Sequence, residues 1–133
     1  MAAIELTHFT EAKLRKIAFG DMPMIRVYKN GKIYIYKKLL KKLACKVGDR
    51  VLFSYQEKTN EWYISRSKTE GLELKDSGSY NSFSIITSTI LRKEILETQQ
   101  IFNNENGAFY MCASASPHIT MNGNVYHKIN ILL

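Results

Sequence analysis

Residues 24–55, MIRVYKNGKIYIYKKLLKKLACKVGDRVLFSY, change their hydrophobic period twice. Ile25 and Val27 alternate with Arg26 and Tyr28, as a strand requires. Lys29-Asn30-Gly31-Lys32 follows, and Asn-Gly is a strong hairpin signal because it readily adopts the paired positive φ of a type I′ turn. The return strand is Ile33-Tyr34-Ile35-Tyr36. Its β-branched and aromatic content fits a strand with both faces occupied. The period then becomes helical. Leu39, Leu40 and Leu43 form an apolar stripe, and Lys37, Lys38, Lys41 and Lys42 a basic one. So short a helix with four like charges is marginal alone, so packing of the leucines on a sheet must hold it. Gly48-Asp49 makes a corner before the strand Val51 to Tyr55.

Working outward, Thr10 is a plausible N-cap, and Leu14, Ile17 and Ala18 share one helical face before Gly20. This predicts a short helix over 10–19. On the other side, polar residues 57–61 make a turn and Trp62-Tyr63-Ile64 returns as the partner strand. Residues 66–81 are polar and read as a connection, with one short strand around Leu72 and Leu74.

The second half repeats the pattern. Shifted from Tyr34 to Ile85, the strand Ile33–Tyr36 falls near Phe83–Ile86, and Leu39-Leu40-Lys41-Lys42 falls on Ile90-Leu91-Arg92-Lys93. Ser88 is the expected cap of the second helix. The following hairpin is expected from Ile101-Phe102 and Phe109-Tyr110-Met111 across Asn103–Gly107, with a last strand over Val125–Leu132. Two halves that cannot each bury a hydrophobic face would close one shared core. The expectation is therefore an α+β, mostly β protein of one domain over 1–133. It has an N-terminal helical segment (1–22) and a small barrel built from two related strand–helix–hairpin halves (24–66 and 82–133), joined by a connection (67–81).

Charge separates the halves. Residues 1–50 hold 12 Lys and Arg against 4 Asp and Glu, whereas 51–133 hold 7 against 8, within a net +7. A basic half beside a neutral one points to an anionic partner, nucleic acid first and acidic protein second. Cys45 and Cys112 lie far apart, which argues against a disulfide framework. The first residues carry no apolar leader segment, and no run approaches the roughly 20 apolar residues of a membrane span. A cytoplasmic protein without a membrane partner is expected.

The order Gly31-Lys32, Ile33-Tyr34-Ile35, Leu39, Leu43, Gly48-Asp49 and Val51 resembles the swapped-hairpin AbrB-like family of small DNA-binding modules, which includes transition-state regulators and antitoxins. The likeness covers about residues 24–66. Tyr36 stands where that family usually has Pro, and Ala44 where it usually has Gly. Such modules interleave two chains into a barrel; here the second half would supply the partner. The resemblance implies DNA contacts by Arg26, Lys32 and Lys41, with Lys37, Lys38 and Lys42 on the same basic surface.

Read from the residues themselves, Arg26, Lys29, Lys32, Lys37, Lys38, Lys41 and Lys42 are interleaved with Tyr28, Tyr34 and Tyr36. Lysines neutralise phosphates, and exposed tyrosines stack on unpaired bases. The expected partner is nucleic acid, DNA ahead of RNA, with a homodimer or a protein partner left open. The alternative is a non-enzymatic interaction module of a phage or mobile element, working through an exposed edge strand and the connection. His8, His118 and His127 lack metal-ligand spacing with the cysteines, and Ser114, Ser116 and His118 read as a loop, ASASPH. No catalytic residue, metal or cofactor is expected.

Overall fold

Alternation along the first hairpin sorts its side chains cleanly. Ile25, Val27, Ile33 and Ile35 are fully buried, while Arg26, Lys32, Tyr34 and Tyr36 face outward. The computed structural model describes residues 22–78, 83–101, 107–121 and 123–132, with Leu6, His8, Thr10 and Glu11; for 115–119 and 121 it describes the backbone alone. The strands are β1 (Met24–Val27), β2 (Lys32–Tyr36), β3 (Arg50–Gln56), β4 (Glu61–Ser67), β5 (Leu72–Glu73), β6 (Lys75–Asp76), β7 (Phe83–Thr87), β8 (Phe109–Met121) and β9 (Asn124–Leu132). The helices are α1 (Lys37–Leu43) and α2 (Thr89–Thr98). The helix expected over 10–19 lies outside the described residues, save Thr10 and Glu11.

All the strand pairs are antiparallel, in one sheet of order β5-β3-β4-β9-β8-β1-β2-β7-β6. The sheet curls into a nearly closed barrel, so the α+β, mostly β expectation holds. Its core joins Ile25, Val27, Ile33, Ile35, Ile64, Ile86 and Met111 with Leu39, Leu40 and Leu43 of α1.

The β1–β2 turn is not the expected type I′. Asn30 has no positive φ; Gly31 alone does, at 87°. Gly31 donates to the Tyr28 carbonyl at 3.0 Å, and Tyr28 to Lys32 at 2.8 Å, so the loop is a tight turn followed by a left-handed residue. The Asn30 side chain accepts from the Lys32 N–H at 3.0 Å. A side chain at Gly31 would come within 2.7 Å of Thr89, because this turn docks against the start of α2. The Gly31 carbonyl accepts from Ser88 at 2.9 Å. Ser88 caps α2 as expected, its hydroxyl accepting from Leu91 at 3.0 Å.

Both helices end alike. Ala44 (φ 55°) donates to Lys41, and Cys45 donates back to Leu40 at 2.9 Å. Gln100 (φ 57°) donates to Glu97, and Ile101 to Leu96 at 2.9 Å. This is the Schellman arrangement, which usually places Gly in the left-handed position. The match also corrects the helix alignment. Leu39 and Ile95 are both fully buried, whereas Ile90 is 74% exposed. Leu39 and Leu40 therefore correspond to Ile95 and Leu96, and α2 carries an extra turn at its start. Ala44→Gly is expected to raise stability by about 0.5–1 kcal/mol, because relief of left-handed strain outweighs the added unfolded-state entropy. A urea titration showing no gain would contradict this.

The repeat has a geometric basis. In the β2–β7 pair Tyr34 lies opposite Ile85, and these two residues define the sequence shift. In the β4–β9 pair Ile64 lies opposite His127. The strand order is symmetric about both pairs, so that β2 answers to β7, β1 to β6, β4 to β9 and β3 to β8. The second hairpin is thus β8–β9, turning at Gly123; Phe109–Met111 pair with β1 and β9 instead of with Ile101, and Phe102 with the expected turn over 103–106 lies outside the described residues. Ile101 lies in no strand. The segment ASASPH runs inside β8 and is not a loop. The register shifts between Ala113 and His118, where Pro117 has no N–H to give the ladder.

The connection proves structural. β5 pairs with β3, β6 pairs with β7, and only Leu74 separates them. One residue therefore carries the chain across the barrel seam. Leu74 is fully buried, donates to the Asp49 carbonyl at 2.8 Å and accepts from Gly48 at 2.9 Å. The Gly48-Asp49 corner is what holds the seam. Gly71, at φ 87°, lets the chain pass so close to the Val51 carbonyl that any side chain would overlap it.

Candidate nucleic-acid interface

Strand register assembles an aromatic face that local sequence does not contain. Arg26 lies opposite Tyr34 on one side and Tyr110 on the other. Its guanidinium sits 4.6 Å from the centre of the Tyr28 ring and 5.0 Å from that of Tyr110. Tyr34 packs on Tyr28 at 4.6 Å and stacks on Phe83 of β7 at 4.3 Å, the ring planes 18° apart. Tyr36 flanks Phe83 at 5.7 Å. All five rings and Arg26 are partly exposed. A cation held over two ring faces is an attractive arrangement and fixes ring orientation.

Burial pushes the Tyr36 hydroxyl up to about 12, with Tyr28 adding to the rise and Arg26 opposing it. The Tyr28 hydroxyl is raised for the same first reason. Both phenols stay neutral at physiological pH, so the face presents no anion of its own.

Lysines bracket this face. Lys29 and Lys32 are exposed at the hairpin end of β2. Lys37, Lys38 and Lys41 are exposed on α1, which begins directly after Tyr36. From Lys32 to Tyr36 the strand rises roughly 13 Å, about 3.3 Å per residue. Lys42 is half-buried and turns toward the cleft described next. Tyr34 and Tyr36 thus lie between two basic ends, and Arg26 is set among the rings. In strand order and register the position matching Arg26 is Lys75, which is tied to Glu73 at 2.8 Å, and Tyr34 is matched by Ile85.

Two basic residues on the other side of α1 escaped the sequence reading. Arg66, at the end of β4, donates to the Ala44 carbonyl at 3.1 Å and pairs with Asp49 at 3.7 Å. With Lys42, Lys68 and His127 it lines a cleft of about 580 Å³ beside the end of α1. Arg66 and Lys68 fell where the chain leaves a strand for a polar connection. Only the β4–β9 pairing brings them to the cleft.

Other reactive groups are quiet or isolated. Burial first, and Asp49 second, push the Cys45 thiol up to about 11, so little of it is thiolate at neutral pH. Burial also raises the Cys112 thiol. Among the described residues no three His, Cys, Asp or Glu side chains are placed to hold a metal. Among these residues no helix is long and apolar enough to cross a membrane. No family model, curated protein or solved structure matches this chain.

Proposed function

We propose that this protein binds nucleic acid, DNA before RNA, through the β1–β2–α1 surface, as an AbrB-like regulator or antitoxin-like module. The observation that carries the reading is the ring cluster of Tyr28, Tyr34, Tyr36, Phe83 and Tyr110 around Arg26, with exposed lysines at both ends. Lysines at the two ends of the face would neutralise phosphates, and partly open rings offer platforms for bases. Arg26, sandwiched between rings, orients the face, while Lys29, Lys32, Lys37, Lys38, Lys41 and Lys42 carry the electrostatic load. The matched strand order of the two halves supports the AbrB-like comparison, because the second half would take the place of a partner chain. The one-sided charge favours a non-palindromic target.

The competing reading, a protein-interaction module, relied on an exposed edge strand. The two end strands of the sheet hold two residues each and follow one another across Leu74. β5 covers only Arg50 and Val51 of β3, so among the described residues Leu52–Gln56 is the stretch of edge on which that reading would rest.

Fluorescence anisotropy with duplex DNA, single-stranded DNA and RNA, at stepped salt, tests the proposal. Expected is binding whose logarithm falls linearly with the logarithm of salt concentration. A preference for single strands would mean that the rings stack on bases; a preference for duplex would favour the AbrB-like mode. No binding to any probe at low salt would overturn the proposal.

A further inference from the structure

We infer that the cleft between the end of α1 and the β4–β9 surface is an anion site that receives a phosphate group of the bound nucleic acid. Four residues with nitrogen-bearing side chains line it: Lys42 of α1, Arg66 of β4, Lys68 just after β4, and His127 of β9. Gly123, Asn124 and Val125, at the start of β9, also line it. The nearby carboxylate is Asp49, already paired with Arg66. Arg66 has five N–H donors, and its bonds to Ala44 and Asp49 leave others for a ligand. Those same bonds fix the guanidinium in place, which lowers the ordering cost of binding. Lys42 belongs both to α1 and to this cleft, so the cleft continues the basic surface around the helix. A pocket of this volume admits a phosphate with its flanking sugar, and planar guanidinium beside ammonium suits phosphate oxygens.

That the phosphate comes from nucleic acid rests on the reading above; the existence of an anion site does not. The two are separated by two probes. In the first, inorganic phosphate is titrated against chloride at equal ionic strength while backbone amide resonances are followed. Saturable shifts at Lys68, Asn124 and Val125 are expected with phosphate alone. Their absence overturns the site, whatever the protein does with oligonucleotides.

In the second, the Arg66→Ala/Lys68→Ala variant is compared with the parent protein in oligonucleotide binding. About tenfold or greater weakening at 0.1 M salt is expected, with the salt slope shallower by about two. Lys68→Ala alone touches only an exposed side chain and should lower the slope by about one. It guards against loosening of the α1 end by loss of the Arg66–Ala44 bond. A parental slope in both variants overturns the nucleic-acid assignment and leaves free phosphate as the ligand. If the parent binds no oligonucleotide, the functional proposal fails, and the phosphate titration still decides the cleft.

Discussion

Leu74→Ala is expected to destabilise the protein by about 2–5 kcal/mol, the range for deleting a fully buried leucine side chain. Against a total of about 5–15 kcal/mol for a domain, that is a large fraction. The site leaves little room for collapse. Leu74 has no exposed surface, and both its backbone groups are already fixed by Gly48 and Asp49. The cavity would therefore persist, beside a seam where β5 and β6 contribute only two residues each. Urea unfolding monitored by Trp62 fluorescence gives the value. Leu72→Ala, at a half-buried position in β5, is the control and should cost clearly less. A loss below about 1 kcal/mol for Leu74→Ala would show that the seam does not depend on this side chain.

The second large effect concerns binding. Lys37→Ala combined with Lys41→Ala should weaken binding to every sequence alike, by roughly tenfold per lysine at 0.1 M salt, with the salt slope shallower by about two. The two positions are a helical turn apart and both exposed, so like-charge repulsion falls when they are removed. Thermal stability should stay level or rise slightly. A variant that unfolds would mean that the lysine stems cover the core, and unchanged affinity would move the binding surface away from α1.

The first half was legible because its signals are local. The β1–β2 alternation, the Leu39/Leu40/Leu43 stripe and the β3–β4 pair each read directly from spacing, and each folds as expected. The second half was harder. In Ala113–Pro117 small and polar residues hide a strand whose pairing comes from β9. Strands of two residues show no period, so β5 and β6 looked like linker. The helix ends were hidden too, since Ala44 and Gln100 occupy positions that Gly would have announced.

The candidate site divides the same way. The lysines of α1 and the tyrosines of β2 were visible as a cluster. Phe83 and Tyr110 join them only through the β2–β7 and β1–β8 pairings, across more than half the chain in the case of Tyr110. Arg66 and Lys68 reach the cleft by a long-range route as well. Nothing local marks residues that a closed sheet brings together.

Joining both halves in one chain also removes mass action from folding. A barrel assembled from two chains comes apart on dilution, and its stability depends on protomer concentration. Here the second half is tethered to the first, so closing this sheet needs no second chain. The tether also frees the halves to differ. Tyr34 faces Ile85 in the β2–β7 pair, and Lys75 pairs with Glu73 where Arg26 lies against the rings of Tyr28 and Tyr110. Such a molecule has two unlike ends, and a nucleic acid bound as proposed would lie across it in one direction.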